Sequence, residues 1–171
     1  REGRREWNDY TPYEIRNVGA FVRLGWRGRA NEALDYFFAD RRPQAWNGWA
    51  EVVGRDARQH RFIGDMPHAW ISSDYIRSAL ELFAYDDDAS RAVILAAGVP
   101  REWLSEGGVS VRSLRTPYGQ VSYRLARQGD ALGLAARQRG RGAIGGVGDV
   151  EALQHDHGAS AAGGALAVHA V

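Results

Sequence analysis

The sequence predicts a mainly α fold with a small β part. Apolar residues recur at helical spacing over residues 11–85, and short runs of alternating or continuous apolar residues follow over 92–134. Neither period persists beyond that point. We therefore expect a helical part at 1–90, a β part at 91–134 and a low-complexity, poorly ordered tail at 135–171.

A helical hairpin is predicted at the start of the chain. Thr11 can cap a helix that has Pro12 at its first position and Glu14 three residues after the cap. The segment "LGWRGR" then separates two helical runs, and Pro43 ends the second run. The apolar residues of the two runs are Ile15, Val18 and Val22, and Ala30, Ala33, Leu34, Phe37 and Phe38.

A third helix is predicted over residues 72–85, and it carries two apolar faces. One face has Ile76, Ala79, Leu80 and Phe83, and the other has Ile71, Tyr75, Leu82 and Tyr85. A helix with two apolar faces packs between other elements. Since the chain supplies only one other hairpin, we expect an uncovered apolar face and self-association through it.

The β part is predicted from two stretches. "AVILAAG" is a continuous apolar run, and "VSVRSLRTPYGQVSYRL" alternates on both sides of a turn at residues 116–119. The second pattern is typical of a β-hairpin.

Aromatic and acidic residues are concentrated in the span "AWNGWAEVVGRDARQHRFIGDMPHAW", residues 45–70. Exposed indole rings beside carboxylates suit a sugar, because indole stacks on the C–H face of a pyranose while carboxylates perform acid and base chemistry. The alternative is that the tryptophans are core under a long loop and that the acidic residues pair with nearby arginines. The candidate residues are Trp46, Trp49, Glu51, Asp65, His68 and Trp70.

Composition excludes several classes of partner. Twenty-two basic and 21 acidic residues leave a formal charge of +1, and no apolar run approaches membrane-spanning length, so we expect neither a nucleic-acid nor a membrane partner. Cysteine is absent, which excludes disulfides and thiolate metal sites. His155 and His157 lack a second ligand cluster, so we expect no metal and no cofactor.

Four segments resemble the C-terminal part of the six-hairpin glycosidases, the superfamily of the α-L-rhamnosidases and glucoamylase-like enzymes. They are "VGAFVRLGWRGRANEALDYFFADRRPQAWNGWAEVV", "FIGDMPHAWISSDYIRSALELFAY", "VILAAGVPREWL" and "VSVRSLRTPYGQVSYRL". The resemblance implies that residues 1–90 form the last helical hairpins of an (α/α)6 barrel. It implies that residues 91–134 begin a C-terminal β-sandwich, and that the parent protein is periplasmic or secreted rather than cytoplasmic.

The resemblance also implies roles for the candidate residues. Glu51 would be the general base of an inverting glycoside hydrolase, with Asp65 as the second candidate for that role. Trp46, Trp49, His68 and Trp70 would line the sugar subsite. No residue before Pro12 corresponds to the general acid that inverting hydrolysis requires, so we expect this chain alone to be inactive. The other function compatible with the sequence is a non-catalytic carbohydrate-binding or scaffold module.

Overall fold

The protein has a mixed α/β fold. The structure is a computed structural model, and it describes residues 6–42, 44–56, 64–105, 107–128, 131–139, 151–153 and 165–169. Within these ranges, four α-helices accompany three small antiparallel sheets.

The elements follow one another along the chain with short connections. The helices are α1 (Arg16–Arg23), α2 (Arg27–Ala39), α3 (Ala69–Glu81) and α4 (Glu102–Ser105), with 3-10 helices at Pro12–Ile15 and Gln44–Trp46. The strands are β1 (Asp9–Tyr10), β2 (Val53–Gly54), β3 (Ala84–Asp87), β4 (Ala92–Leu95), β5 (Val109–Thr116), β6 (Gly119–Gln128), β7 (Ala131–Arg139), β8 (Glu151–Leu153) and β9 (Ala165–His169). The sheet orders are β1-β2, β3-β4-β9-β8 and β5-β6-β7.

The predicted start of the helical hairpin is confirmed. The Thr11 hydroxyl accepts a hydrogen bond from the backbone N–H of Tyr13 at 3.4 Å, and Pro12 occupies the first helical position. The 3-10 helix leads directly into α1, and α2 packs against α1. Pro43, which was expected to end the second run, lies outside the described residues.

Strand β4 separates two hydrophobic cores. Ala92 and Ile94 face the core formed with the helices, while Val93 and Leu95 face the core formed with the β5-β6 hairpin. All four side chains are at most 2% exposed. A strand that is buried on both faces has a continuous apolar sequence rather than an alternating one, which explains the "AVIL" run.

The predicted β-hairpin is also confirmed. Strands β5 and β6 pair with Thr116 opposite Gly119 and Val109 opposite Leu125, so the turn lies where the sequence indicates it. Val109, Val121 and Leu125 point into the second core, as the alternation requires.

The prediction of a mainly α fold built from the last hairpins of a barrel is wrong. The only long helices in the described residues are α2 and α3, and strands take up much of the remaining chain. Part of the surface that further hairpins would cover in a barrel is covered by β4, which packs against the helices. Local periodicity did not reveal this, because β4 pairs with β9 more than 70 residues later.

Helix α3 ends earlier than expected and buries one apolar face. It stops at Glu81, and residues 84–87 form β3 instead of a last helical turn. Ile71 and Leu82 are buried, whereas Ile76 and Leu80 are 59% and 43% exposed. The second apolar face is therefore open to solvent in the described part of the chain.

Strands β8 and β9 and the end of β7 lie within residues 135–171, where the sequence indicates a poorly ordered tail. The rest of that tail lies outside the described residues. In the described ranges, the helices are too short or too polar to cross a bilayer.

The buried hydroxyl of Tyr123 leads to a testable prediction. It donates a hydrogen bond to the carbonyl of Phe83 at 2.7 Å, and burial raises the pKa of Tyr123 above its ordinary value. The folded protein therefore keeps this proton at a pH where the unfolded chain loses it, so the free energy of unfolding falls as the pH rises above about 10. We expect Tyr123→Phe to lower stability at neutral pH by about 1 kcal/mol and to make the alkaline loss shallower. Urea unfolding at neutral and alkaline pH measures both effects, and an unchanged alkaline slope would contradict the assignment.

Candidate functional site

The candidate site is built where two extended segments meet. The backbone N–H of His68 donates to the carbonyl of Trp49 at 2.8 Å, and the N–H of Glu51 donates to the carbonyl of Asp65 at 3.2 Å. The Thr11 hydroxyl also donates to the carbonyl of Glu51 at 2.9 Å. These bonds bring together the backbones of four of the residues predicted from sequence, across a loop that separates them in the chain.

Glycine is required at position 64 for two reasons. Gly64 has φ +69°, a backbone conformation that is strained for residues with a Cβ. A Cβ at this position would also overlap the side chain of Glu51. The Glu51 carboxylate therefore lies directly on the backbone of Gly64, half-buried rather than projecting into solvent.

His68 is the centre of the cluster. Its Nε2 lies 2.7 Å from the Tyr13 hydroxyl, and its Nδ1 lies 3.6 Å from Oδ2 of Asp65. The imidazole is nearly buried, whereas the Asp65 side chain is 85% exposed. The Trp70 ring meets the imidazole at a centroid distance of 5.9 Å and is itself 72% exposed. An indole face, a carboxylate and a held imidazole are thus neighbours at the surface.

The Tyr13 hydroxyl is held in its protonated form. Desolvation raises the pKa of Tyr13, and the neighbouring Arg16 cation opposes the rise. The carboxylates of Glu51, Asp74 and Asp65 raise this pKa further. The hydroxyl is therefore neutral at neutral pH, and it can donate to or accept from the imidazole nitrogen that it contacts.

The Asp65 carboxylate favours one tautomer of a neutral His68. Because a carboxylate only accepts, the ring proton is favoured on Nδ1, which faces Oδ2 of Asp65, and Nε2 then accepts the hydrogen bond from the Tyr13 hydroxyl. Asp65 and Tyr13 therefore lie on opposite nitrogens of the imidazole, one on the solvent side and one at the 3-10 helix.

Sequence reasoning missed Tyr13, Arg16 and Asp74. The Arg16 guanidinium lies 4.5 Å from the centre of the Tyr13 ring and donates to Asp74 at 2.6 Å, which ties the start of α1 to α3. The Tyr13–His68 contact joins residues 55 positions apart, and the Arg16–Asp74 contact joins residues 58 positions apart. No local sequence pattern predicts contacts of this length. The one available signal is that the Thr11-Pro12 cap fixes the backbone at Tyr13 at the start of a helix.

The structure separates the other two tryptophans from this cluster. Trp49 is 3% exposed, donates its indole N–H to the Phe37 carbonyl at 2.9 Å and packs on Tyr75 at 4.7 Å. It lies in the interior and does not line an open surface. Trp46 is 60% exposed on the short 3-10 helix, and no ring contact in the described chain joins it to His68.

A metal centre has no support in the described residues, where no three histidine, aspartate or glutamate side chains are grouped to hold an ion. His155 and His157 lie outside the described residues. Arg58 and Arg61, expected to pair with the acidic residues if the tryptophans are core, lie outside them as well.

Comparisons of the chain with protein-family models, with curated protein sequences and with solved structures gave no match. The function is therefore argued from the residues of this chain.

The different environments of Trp49 and Trp46 give a stability prediction. We expect Trp49→Ala to lower the free energy of unfolding by about 3–5 kcal/mol, because it leaves a cavity and an unpaired carbonyl. Trp46→Ala is the matched control and should change stability by about 0.5 kcal/mol or less. Chemical denaturation measures both variants, and equal losses would show that Trp49 is not in the core.

The tautomer of His68 gives a second prediction. We expect the neutral ring to carry its proton on Nδ1, and Tyr13→Phe to produce a mixture of both tautomers, because the donor to Nε2 is lost. Two-dimensional ¹⁵N NMR of the imidazole distinguishes the two forms. Tyr85→Phe, on a strand away from the ring, should leave the spectrum unchanged, and the Tyr13 hydrogen bond is refuted if Tyr13→Phe leaves it unchanged too.

Proposed function

We propose that this chain binds a carbohydrate on the exposed face of Trp70, beside Asp65 and His68. We propose further that it does so as part of a glycoside hydrolase in which Glu51 is the general base. The observation that carries the proposal is that a large indole ring, 72% exposed, and a carboxylate, 85% exposed, both lie beside the same imidazole of His68.

The chemistry of these groups supports sugar binding. An exposed indole offers a flat apolar face on which the C–H face of a sugar ring can stack. Exposed apolar surface of this kind is typical of binding sites. The Asp65 carboxylate accepts hydrogen bonds from sugar hydroxyls, and such charge-assisted bonds are the stronger ones. The His68 imidazole, hydrogen-bonded to Tyr13, lies between the two groups and contacts both of them.

The position of Glu51 supports a role in hydrolysis. Its backbone is bonded to that of Asp65, so the two carboxylate-bearing residues are side by side on adjacent segments. Glycoside cleavage uses two carboxyl groups flanking the scissile bond. Glu51 would take the proton of the attacking water, and a second carboxylic acid would have to protonate the leaving oxygen.

A second candidate function is carbohydrate binding without catalysis. It is favoured by the half-burial of Glu51 on Gly64, because the groups most open to a ligand are Trp70 and Asp65. Turnover therefore decides between the two candidates.

Titration of the chain with neutral and acidic oligosaccharides, followed by tryptophan fluorescence and calorimetry, tests the binding function. We expect millimolar or tighter binding that Trp70→Ala reduces about fivefold or more, since stacking contributes about 1 kcal/mol or more. Trp46→Ala, an equally exposed ring outside the cluster, should retain binding. The proposal fails if no sugar binds or if both variants lose the same affinity.

Reducing-end release from the same sugars then tests catalysis. If Glu51 is the base, any turnover should fall about 100-fold or more in Glu51→Gln, while the binding constant is preserved. Turnover that survives this substitution removes Glu51 from catalysis. Because no proton donor for the leaving oxygen is assigned in this chain, the assay includes glycosyl fluorides, whose leaving group needs no protonation. Binding without turnover of these substrates by the native chain favours the non-catalytic function.

A further inference from the structure

We propose that the cleft along the open face of α3 binds the acidic part of a glycan, so that the ligand seated on Trp70 is an oligosaccharide containing uronate residues. This inference rests on the proposed carbohydrate-binding function and names the substrate class. The cleft has a volume of about 770 Å³ and lies between α3, β3 and the tip of the β5-β6 hairpin.

The cleft is continuous with the candidate site. Pro67 and Ala69, which flank His68, form one end of its wall, and Ser72 and Ser73 follow on the next turn of α3. A glycan chain that stacks one ring on Trp70 can therefore place its neighbouring rings in the cleft. Its volume is within the range of small-molecule binding sites, which hold ligands of several rings.

The lining has the mixed character that suits a sugar chain. Ile76, Leu80 and Leu114 form apolar patches against which the C–H faces of the rings can pack. The hydroxyl groups of Ser72, Ser73 and Thr116 lie among them and can bond to sugar hydroxyls. A purely apolar groove would favour a protein helix, whereas interleaved hydroxyls favour a polyhydroxylated ligand.

The cleft is lined by more positively charged than negatively charged side chains. Arg23 and Arg77 lie 3.3 Å and 3.4 Å from the same oxygen of Glu81, so two guanidinium groups share one carboxylate oxygen. The other oxygen of Glu81 is packed against Gly19. Asp86 is the second carboxylate of the lining, and its backbone carbonyl accepts a hydrogen bond from Arg23.

Arg115 completes the site from the opposite wall. It is exposed at the tip of β5, and in the described part of the chain no carboxylate pairs with it. Three guanidinium groups therefore face two carboxylates in one cleft. A planar carboxylate is the group that a guanidinium fork binds in a bidentate manner, which identifies a uronate as the ligand rather than a neutral hexose.

The test compares acidic sugars with their own neutral esters. The full chain is titrated by calorimetry with tetragalacturonate and tetramannuronate, and with the methyl ester of each, which has the same rings without the charge. We expect at least one acid to bind about tenfold more tightly than its ester, because a hydrogen bond to a charged group is lost in the ester. We expect this preference to shrink at 0.5 M NaCl.

Substitutions then locate the preference. Arg115→Gln should remove the preference for the acid while leaving the affinity for the ester unchanged, and Arg77→Gln should reduce it as a second variant. Arg112→Gln, on the same strand but outside the cleft, is the matched control and should keep the full preference. Circular dichroism verifies that each variant is folded.

Each other outcome overturns the inference in a distinguishable way. If acids and esters bind equally on Trp70, the proposed carbohydrate function stands, and the proposal that the cleft binds a uronate fails. If Arg112→Gln abolishes the preference as Arg115→Gln does, the preference arises from the general positive charge of this surface, and the cleft is not the binding site. Tighter, Arg115-dependent binding of an acidic apolar peptide would assign the cleft to a protein partner. If no sugar binds, both proposals fail.

Discussion

The double-sided burial of β4 is the constraint on which the rest of the structure depends. Its four residues are almost completely buried, and they alternate between the helical core and the core of the β-hairpin. Each core is small, and neither is closed without this strand. Ile94 packs with Val18 and Leu82 on one side, whereas Leu95 packs with Val121 on the other. A polar side chain anywhere in β4 would therefore disturb both cores at once.

The turn between α3 and β3 links β4 and the hairpin core to the helix that begins at the candidate site. Leu82 is buried and its carbonyl accepts the N–H of Gly98, while the carbonyl of Phe83 accepts both the N–H of Ala96 and the hydroxyl of Tyr123. A Cβ at Gly98 would lie 2.7 Å from Cα of Leu82, so the close approach requires glycine. Because its C-terminal end is fixed in this way, the orientation of α3 is fixed as well, and the helix contacts the 3-10 helix at the start of the chain.

Polar contacts fix the middle and the last turn of α3 against the start of the chain. The buried Ser78 hydroxyl donates to the carbonyl of Ile15, and Asp74 receives the Arg16 guanidinium. These bonds place His68 against Tyr13 and leave the opposite face of the helix open. That face runs from Trp70 to the arginine-lined cleft, so one helix both shapes the interior and carries the two surfaces proposed to bind a glycan. The buried face fixes the position of the helix, and the open face carries the proposed function.

The sequence by itself determined the local elements of this protein. The Thr11-Pro12 cap and the alternation around the Thr116 turn depend on interactions within a few residues, and the continuous apolar run of β4 indicates a strand without showing what covers it; all three elements are observed. Only the tertiary structure decided the fold class and the separation of a buried Trp49 from an exposed Trp70. The physical reason is that periodicity records that a face is apolar without recording what covers it. Strand pairings across more than 70 residues and the contact of Tyr13 with His68 form only when the chain is folded.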